Sequence, residues 1–299
     1  MIRFARWLSA WILVAPAAAL GDTLVLNATR DVTLFEPPAG FPDSSNGAGS
    51  TLYVGMLQPW NVERRALVHF VLPVLPSGAV VDSVSLALDV AAFPAGSGAL
   101  TLHLHRAAAL WTEGMSNSGE SGVLGITPTL DDATWAHKQF PGIRWSAPGG
   151  DYVAAPSASV SVSGPGVAVW TSASMLGDFQ GWLASPGTNF GWLLRQSAAP
   201  GQDTLVRLRS RESVAGTTPK LTIVYHVPGA CASDFNGDQT VDVADLFAYL
   251  DAWFMQFGLT SPPADAQDLT ADFNTDLRVD VADLFGFLDV WFGEFLNCP

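Results

Sequence analysis

Basic side chains and catalytic motifs are both scarce in this chain of 299 residues. It has 14 lysines and arginines against 28 aspartates and glutamates. The net charge of −14 argues against a nucleic acid as partner, because phosphate backbones bind basic surfaces. The sequence holds no Gly-x-Ser-x-Gly nucleophile elbow, no phosphate-binding glycine loop and no His-Glu-x-x-His zinc motif. Each absence removes one class of enzyme that has a local signature.

Acidic side chains in loops leave one catalytic alternative open. Glycoside cleavage needs two carboxyl groups on either side of a cleft. The candidates are Glu113, Glu120, Asp131, Asp132 and Asp151. Ordinary solvated side chains are the favoured interpretation, because aspartate and glutamate lie mostly at protein surfaces. The sequence therefore favours a non-catalytic protein and leaves enzymatic activity uncertain.

Long apolar runs are also missing, and the N-terminus has the composition of a secretory signal. Arg3 and Arg6 precede the short apolar stretch 7–14, and small residues at 17–19 form a cleavage site. The stretch is shorter than the roughly 20 residues of a membrane-spanning helix. We expect residues 1–21 to be a signal peptide, with an uncleaved anchor as the alternative. The mature protein is then secreted, extracellular or attached to the cell surface, without a transmembrane segment.

Cysteine occurs only at Cys231 and Cys298, at the two ends of a C-terminal segment. In an exported protein we expect these two to form a disulfide, with two unpaired thiols as the alternative. The same segment carries 13 of the 28 acidic side chains and one of the 14 basic ones. It is also rich in Phe, Trp and Leu, so the acidity indicates metal ligation rather than a disordered tail.

A thirteen-residue pattern occurs twice in this segment, 38 positions apart. In each copy, oxygen-bearing side chains stand at loop positions 1, 3, 5, 9 and 12. This is the ligand spacing of an EF-hand-type calcium loop, in which the backbone carbonyl of position 7 is a further ligand. In order, with position 7 included, the residues are Asp234, Asn236, Asp238, Thr240, Asp242 and Asp245, then Asp272, Asn274, Asp276, Arg278, Asp280 and Asp283. The spacing predicts two Ca²⁺ sites; a turn hairpin without metal is the alternative.

Loop position 6 departs from the calcium-loop pattern. Glycine is usual there because the backbone turns sharply, but this chain has Gln239 and Leu277. A side chain in the left-handed conformation costs roughly 1–2 kcal/mol. The positive charge of Arg278 beside a cation is also unfavourable. We therefore expect the second site to bind Ca²⁺ more weakly than the first.

Each loop is followed by apolar residues at helical spacing. The predicted inward faces are Leu246, Phe247, Leu250, Trp253/Phe254 and Phe257, then Leu284, Phe285, Leu288, Trp291/Phe292 and Phe295. Each helix is too short to bury such a face alone. We expect the two helices to pack on each other, with metal and disulfide compensating for a small core.

The segment 230–299, with its two loops, two Leu-Phe-x-x-Leu helices and flanking cysteines, resembles a dockerin domain of the bacterial GC type. The resemblance implies a small all-α, calcium-binding module. It further implies docking to a cohesin-like protein or a cell-surface component. In dockerins, loop positions 10 and 11 belong to the partner-binding surface; here they are Val243-Ala244 and Val281-Ala282. Simple packing of these residues is an equally open interpretation.

Residues 22–229 show the short alternating segments and Gly/Pro punctuation of an all-β domain. In the segment Ser83 to Val90, for example, every second residue is a large aliphatic, the period of a strand with one buried face. We expect a β-sandwich or jelly roll. A helix is predicted to interrupt it between Ser174 and Leu183.

An ordered series of short motifs in this region resembles the DNRLRE domain, a secreted β-sandwich family. The series includes 31–36, 52–55, 65–70, 75–78, 111–114, 133–135, 149–151, 190–192 and 210–212, while 61–65 is a loose version of the naming motif. Studied relatives include carbohydrate-binding modules, so the resemblance implies a polysaccharide ligand.

Several side chains of this region are candidate ligand contacts. Arg207, Arg209 and Arg211 alternate along one predicted strand and would suit carboxylated or sulfated sugars, with a solvated face as the bland alternative. Exposed indoles would stack on pyranose rings, although core burial is favoured for each: Trp111, Trp135, Trp145, Trp170, Trp182 and Trp192. His103 with His105, and Asp31 with Glu36, are weaker candidates for metal.

The leading functional hypothesis is a secreted, non-catalytic protein. Its β-sandwich binds polysaccharide, and its calcium-loaded tail anchors it to a partner. The alternatives are a polysaccharide lyase or glycoside hydrolase with loop carboxylates, and a structural surface spacer or adhesin that binds no sugar.

Overall fold

The computed structural model describes residues 22–119, 122–197, 201–227, 231–238, 240–258 and 269–295. It is mostly β, with 33% of residues in strands and 17% helical. The chain divides into two compact units, Asp22–Tyr225 and the part from His226 onward. The predicted signal peptide, 1–21, lies outside the described residues.

The first unit is built from thirteen described strands and one α-helix. The strands are β1 Asp22–Asn27, β2 Arg30–Phe35, β3 Thr51–Leu57, β4 Val62–His69, β5 Val80–Ala92, β6 Leu100–Arg106, β7 His137–Gln139, β8 Ile143–Arg144, β9 Ala158–Val162, β10 Gly166–Thr171, β11 Trp192–Gln196, β12 Val206–Arg209 and β13 Lys220–His226. The helix α1 spans Ala173–Ala184 and is followed by a 3₁₀ turn at Pro186–Thr188.

Eleven of these strands form one large sheet, and the pairings along it that we describe are antiparallel. The strand order is β1-β13-β5-β12-β3-β4-β11-β6-β9, with β10 beside β5 and β2 beside β4, while β7 and β8 form a separate pair. Strand β3 pairs with β12 over its first half and with β4 from Gly55 onward. At the changeover Gly55 has φ +124°, and a Cβ there would lie 2.3 Å from the carbonyl oxygen of Thr204. Only glycine fits this close approach.

The main core confirms the predicted alternation in β5. Val84, Leu86, Leu88 and Val90 are buried, and they pack with side chains of β3, β4, β6, β11, β12 and β13. Helix α1 confirms the second prediction, because it covers Ser174 to Leu183 and buries Met175, Phe179 and Trp182 in the same core. Ser172 caps it by accepting the Met175 amide at 3.0 Å.

Most tryptophans described in this unit serve the core, although Trp60 is 44% exposed. Five of the six candidates for sugar stacking are at most 5% exposed: Trp111, Trp145, Trp170, Trp182 and Trp192. Trp135 is half-buried beneath the guanidinium of Arg65, at 4.7 Å. The buried alternative is therefore correct for these five, and none of them presents a ring face to a sugar.

Two buried arginines at the start of β4 hold the loops that cover this part of the sheet. Arg64 is fully buried and donates to the carbonyls of Val123 and Glu36, at 3.0 and 2.8 Å. Burial lowers its pKa to about 10. Arg65 donates to the carbonyl of Gly149 at 2.8 Å. The two guanidinium groups thus connect the loops to the sheet by hydrogen bonds to loop carbonyls.

The second unit contains helices α2, Val243–Gln256, and α3, Val281–Glu294. Tyr249 and Phe287 stack with their ring centres 4.0 Å apart and their planes within 4°. Trp253 Nε1 donates to the Asp280 carbonyl at 2.8 Å, and Trp291 Nε1 donates to the Asp242 carbonyl at 2.9 Å. Each helix thus donates a hydrogen bond to the loop that precedes the other helix. These reciprocal contacts give the unit an approximate twofold symmetry.

The predicted inward faces of these helices are wrong in part. Phe247 and Phe254 of α2 are 63% and 71% exposed, and Phe257 after it is 51% exposed. Their equivalents Phe285, Phe292 and Phe295 are likewise exposed. The predicted Trp253 and Trp291 are buried, and they form the core together with Tyr249 and Phe287, which the pattern did not include. Each helix is apolar around most of its circumference, so periodicity alone did not identify the buried stripe.

No helix in the described part of the chain combines the length and apolarity that a bilayer crossing requires.

Candidate functional site

The first calcium-type loop is folded by its own aspartates. Asp234 Oδ1 accepts the backbone amides of Gly237 and Asp238, at 2.9 and 3.1 Å. Asn236 Oδ1 accepts the Asp238 amide at 2.8 Å. Asp238 Oδ1 accepts both the amide and the hydroxyl of Thr240, and these bonds lower the pKa of Asp238, which keeps it ionised. The turn chemistry of Asp and Asn thus places oxygens at alternate positions.

The second loop repeats this hydrogen bonding. Asp272 accepts the amides of Asp276 and Leu277, at 3.1 and 2.8 Å, from its two carboxylate oxygens. Asn274 Oδ1 accepts the Asp276 amide at 2.9 Å. Asp276 Oδ1 accepts the amide of Arg278 at 3.0 Å. Sequence spacing alone therefore anticipated two loops of the same internal geometry.

Position 12 joins each loop to its helix. Asp245 is fully buried and accepts the amides of Asn236 and Asp242, at 3.0 and 2.9 Å. Asp283 is equally buried and accepts the amides of Asn274 and Asp280, at 3.1 and 2.8 Å. Asp242 and Asp280 are in turn the N-caps of α2 and α3, and they complete a capping box. The sequence spacing predicted Asp245 and Asp283 as loop ligands, and only the structure shows their bonds to the loop and N-cap amides.

The backbone at position 6 turns left-handed in the second loop, as the calcium-loop pattern requires. Leu277 has φ +69°. Gln239, the equivalent residue, lies outside the described residues. Position 4 is also left-handed in both copies, with φ +77° at Gly237 and +61° at Thr275. The second loop thus holds two non-glycine residues in a conformation that costs roughly 1–2 kcal/mol each, which is the basis for expecting weaker binding there.

The donor set of each loop fits a hard cation, because all its candidate ligands are oxygens. Asp234 Oδ1 and Asp238 Oδ1 each accept two hydrogen bonds within the loop, which engages both lone pairs of these two oxygens. Among the described residues, no three carboxylates of either loop converge within 4.8 Å. Hydrogen bonds from backbone amides therefore define the loop conformation, and the carboxylates do not converge on one point.

The ends of the second unit are fastened together. Cys231 is in a disulfide; Cys298, the other cysteine of the sequence, lies outside the described residues. Beside Cys231, the Glu294 carboxylate of α3 accepts the amides of Ala232 and Ser233, at 3.2 and 2.9 Å, and the Ser233 hydroxyl at 2.6 Å. These bonds hold the start of the unit against its last helix.

The three candidate arginines do not form one strand face. Arg207 and Arg209 lie on the same side of β12, half-exposed, but Arg211 falls in the turn beyond the strand. Its guanidinium is bound to Glu113 by two bonds of 2.6 and 2.5 Å, and it lies 2.8 Å from Glu212. The shared face is therefore limited to Arg207 and Arg209, whose role in ligand binding stays a prediction.

Two of the five loop carboxylates that were candidates for catalysis organise their own loops. Asp132 is fully buried and accepts the amides of Met115, Ser116 and Thr129. Asp151 accepts the amide of Ser146 at 2.9 Å. Glu120 lies outside the described residues. The oxygens of Asp132 and Asp151 are thus engaged by backbone amides of their own loops.

One carboxylate cluster was not anticipated. Asp31 of β2, Glu113 in the loop after β6 and Glu212 in the turn after β12 bring one oxygen each within 4.8 Å of one another. The predicted partner of Asp31, Glu36, instead accepts the amide of Glu63 at 2.6 Å. Residues so distant in sequence carry no spacing signal, so only the folded chain reveals the cluster.

His103 and His105 are neighbours on β6, with ring centres 6.2 Å apart. Each Nδ1 has a protein partner, the Ser159 hydroxyl at 2.8 Å and the Val153 carbonyl at 3.0 Å. Burial lowers the pKa of His105. No cluster of metal-ligating groups within the described residues includes either histidine, which favours a packing role.

Comparison with known proteins does not assign the chain to a family. No protein-family model matches the chain, and no curated protein matches it significantly.

Proposed function

We propose that this protein is a secreted, non-catalytic two-domain protein with a calcium-ordered docking module at its C-terminus. The observation that carries the proposal is the duplicated loop and helix, with equivalent bonds at Asp245 and Asp283 and reciprocal Trp253 and Trp291 contacts. This is the organisation that a dockerin-like domain needs. We propose residues 230–299 as this domain.

Calcium, when bound, supplies the positive charge that holds the loop oxygens together. The residues that would hold it are the side chains at positions 1, 3, 5, 9 and 12 of each loop, with the carbonyls of Thr240 and Arg278. The chain's own residues transmit the order of each loop to the helix that follows it. Because Asp245 and Asp283 bond both to their loops and to the helix N-caps, ordering a loop orders the start of its helix.

The docking face that we propose is the pair of exposed apolar stripes on the two helices. Val243 is 46% exposed and Val281 is 47% exposed, so loop position 10 faces outward rather than into the core. Phe247 and Phe285 continue the stripes one turn later. Exposed aromatics on a small acidic module are unfavourable in water, which supports their role as contacts for a protein partner such as a cohesin.

For the first unit we propose a DNRLRE-like β-sandwich that binds an anionic polysaccharide. The changeover of β3 between β12 and β4, with a core drawn from strands on both sides of it, supports two packed layers. Arg207 and Arg209 are the proposed contacts, since guanidinium groups bind carboxylates and sulfates with two hydrogen bonds. Because five of the six candidate tryptophans are buried, we expect charged groups rather than ring stacking to recognise the sugar.

The experiment that tests this function is a panel of neutral and anionic polysaccharides presented to the chain without residues 1–21. Retention and release of products are scored together. We expect retention on an anionic glycan without products, and loss of retention in Arg207→Ala/Arg209→Ala but not in the control Arg144→Ala, an exposed arginine of β8. New reducing ends or unsaturated sugars would instead establish an enzyme. A blank panel would leave the structural spacer as the better description.

A further inference from the structure

The carboxylates of Asp31, Glu113 and Glu212 meet where three distant segments of the first unit come together. Their oxygens lie within 4.8 Å of one another. The Asp31 amide donates to Glu113 Oε1 at 2.7 Å, and the Arg211 amide donates to Asp31 Oδ2 at 2.7 Å. The backbone therefore holds two of these carboxylates in place. Three like charges at this spacing repel one another strongly unless positive charge neutralises them.

Arg211 neutralises only part of this charge. Its guanidinium pairs with Glu113 and with Glu212, but among the described residues it forms no ion pair with Asp31. The guanidinium of Arg30 also interacts with Glu113, but among the described residues it forms no ion pair with any of the three carboxylates. Three carboxylates therefore share one paired guanidinium, and Asp31 calls for further positive charge or for a proton.

Asp31 supplies an independent indication of a missing partner. Its side chain is fully buried, and its Oδ1 has no hydrogen-bond partner among the residues that the structure describes. A buried carboxylate oxygen without a donor is strongly unfavourable, and each such oxygen in a native protein requires an explanation.

The geometry points to a calcium site formed by Asp31 Oδ1 with the carboxylates of Glu113 and Glu212, in which the cation supplies the positive charge that Asp31 lacks. All donors are oxygens, the preference of a hard cation, and Ca²⁺ accepts irregular sets of carboxylates from a folded scaffold. Such an ion joins β2, the loop after β6 and the turn after β12. It stabilises the first unit independently of the C-terminal loops.

The test compares the chain without residues 1–21 with its Asp31→Asn variant, which keeps the size of the side chain and removes its charge. Bound calcium is measured by elemental analysis after equilibrium dialysis, and unfolding is followed with calcium and with chelator. We expect Asp31→Asn to bind one Ca²⁺ fewer per chain. The matched control Asp203→Asn, an exposed loop aspartate, should retain the full complement.

Hydrogen exchange then places the ion. In the parent chain, calcium should slow exchange at the segments around residues 31, 113 and 211, and in Asp31→Asn it should not. Calcium at 100-fold above its dissociation constant should raise the first unit's midpoint by about 5–10 °C in the parent chain only.

Equal calcium content in the parent chain and Asp31→Asn, together with unchanged exchange, overturns the site and leaves a protonated carboxyl cluster. If Asp31→Asn fails to fold, Glu212→Gln replaces it. The same loss of one ion is then expected, and an unchanged ion count in that variant overturns the proposal equally.

Discussion

At the scale of single residues, Asp245 and Asp283 each combine a predicted ligand role with a structural one. Each is fully buried and accepts two backbone amides, one from its loop and one from its helix N-cap. Replacing either side chain leaves two amides without acceptors. The structural role is therefore separable from the metal role when calcium is removed.

The first prediction concerns Asp283→Ala in the presence of chelator. Loss of the capping box and of two buried acceptors should lower the free energy of unfolding of the second unit by roughly 2–4 kcal/mol. Tryptophan fluorescence of Trp253 and Trp291 during thermal unfolding measures it. Asp289→Ala, an exposed aspartate of α3, is the control and should change the value by less than about 0.5 kcal/mol. Equal effects of the two substitutions would contradict the structural role.

The second prediction concerns Leu277, which has φ +69°. Leu277→Gly removes a strain of roughly 1–2 kcal/mol but adds chain entropy to the unfolded state, so a net gain of about 0.5–1 kcal/mol is expected. Calcium titration of the second loop should show severalfold tighter binding. Leu277→Ala keeps the strain and should give no gain; an equal gain from alanine would show that φ is not the cause.

The third prediction concerns pH. Burial, and next the charge of Arg30, lower the pKa of His69 to about 4. The unfolded chain therefore takes up a proton between pH 6.5 and 4 while the folded chain does not. The neutral histidine's contribution is thus complete above pH 6.5 and is lost as the pH falls toward 4. After discounting for solvent screening, the free energy of unfolding falls by about 1–2 kcal/mol over this pH range.

His69→Gln should flatten this pH dependence, since the amide can still bond Thr29 Oγ1, which lies 2.9 Å from His69 Nδ1. Urea unfolding at pH 7 and pH 4.5 measures it. A stability difference between the two pH values that is the same in the parent chain and the variant would assign the dependence to another group.

At the scale of elements, α2 and α3 each carry two apolar stripes, and only one of them is buried. Tyr249 and Phe287 stack in the core, while Phe247 and Phe285 point outward at equivalent positions. A surface stripe repeated with this symmetry contributes little to stability, and it is the docking face that we propose.

The fourth prediction tests this division with the double variant Phe247→Ser/Phe285→Ser. Its thermal midpoint should stay close to that of the parent chain, because both rings are already solvated. Its capture by cohesin-type domains in a binding panel should be lost. Phe287→Ala is the opposite control and should lower the free energy of unfolding by about 3–5 kcal/mol. If the double variant binds cohesin-type domains as well as the parent chain does, the exposed stripes are not part of the docking face.

At the scale of the whole molecule, charge is distributed unevenly between the two units. The segment from Cys231 to Pro299 holds 13 acidic side chains and one arginine. Repulsion among these charges destabilises a small module whose core is limited to a few aromatic pairs. Bound cations would relieve that repulsion, whereas the first unit rests on a far larger core.

The fifth prediction is that chelation loosens the second unit and leaves most of the first intact. Hydrogen exchange in 240–258 and 269–295 should speed up on removal of calcium, with a loss of helical dichroism. The strands β3 to β6 should stay protected. Added salt should restore part of the protection by screening the acidic repulsion. Helical dichroism that does not respond to chelator would contradict metal-driven ordering.

The sequence by itself determined the features that depend on local spacing. The alternation in β5 and the helix near Ser174 follow from the steric preferences of neighbouring residues, and the structure has them where they were predicted. The left-handed turn at Leu277 follows from the ligand spacing of the loop, against the steric preference of leucine. Tertiary structure alone decided which aromatic stripe of α2 is buried, that Arg211 pairs with Glu113, and that Asp31, Glu113 and Glu212 meet. The physical reason is that periodicity reports which residues share a face. Which face is covered, and which distant side chains become neighbours, depends on how the elements pack.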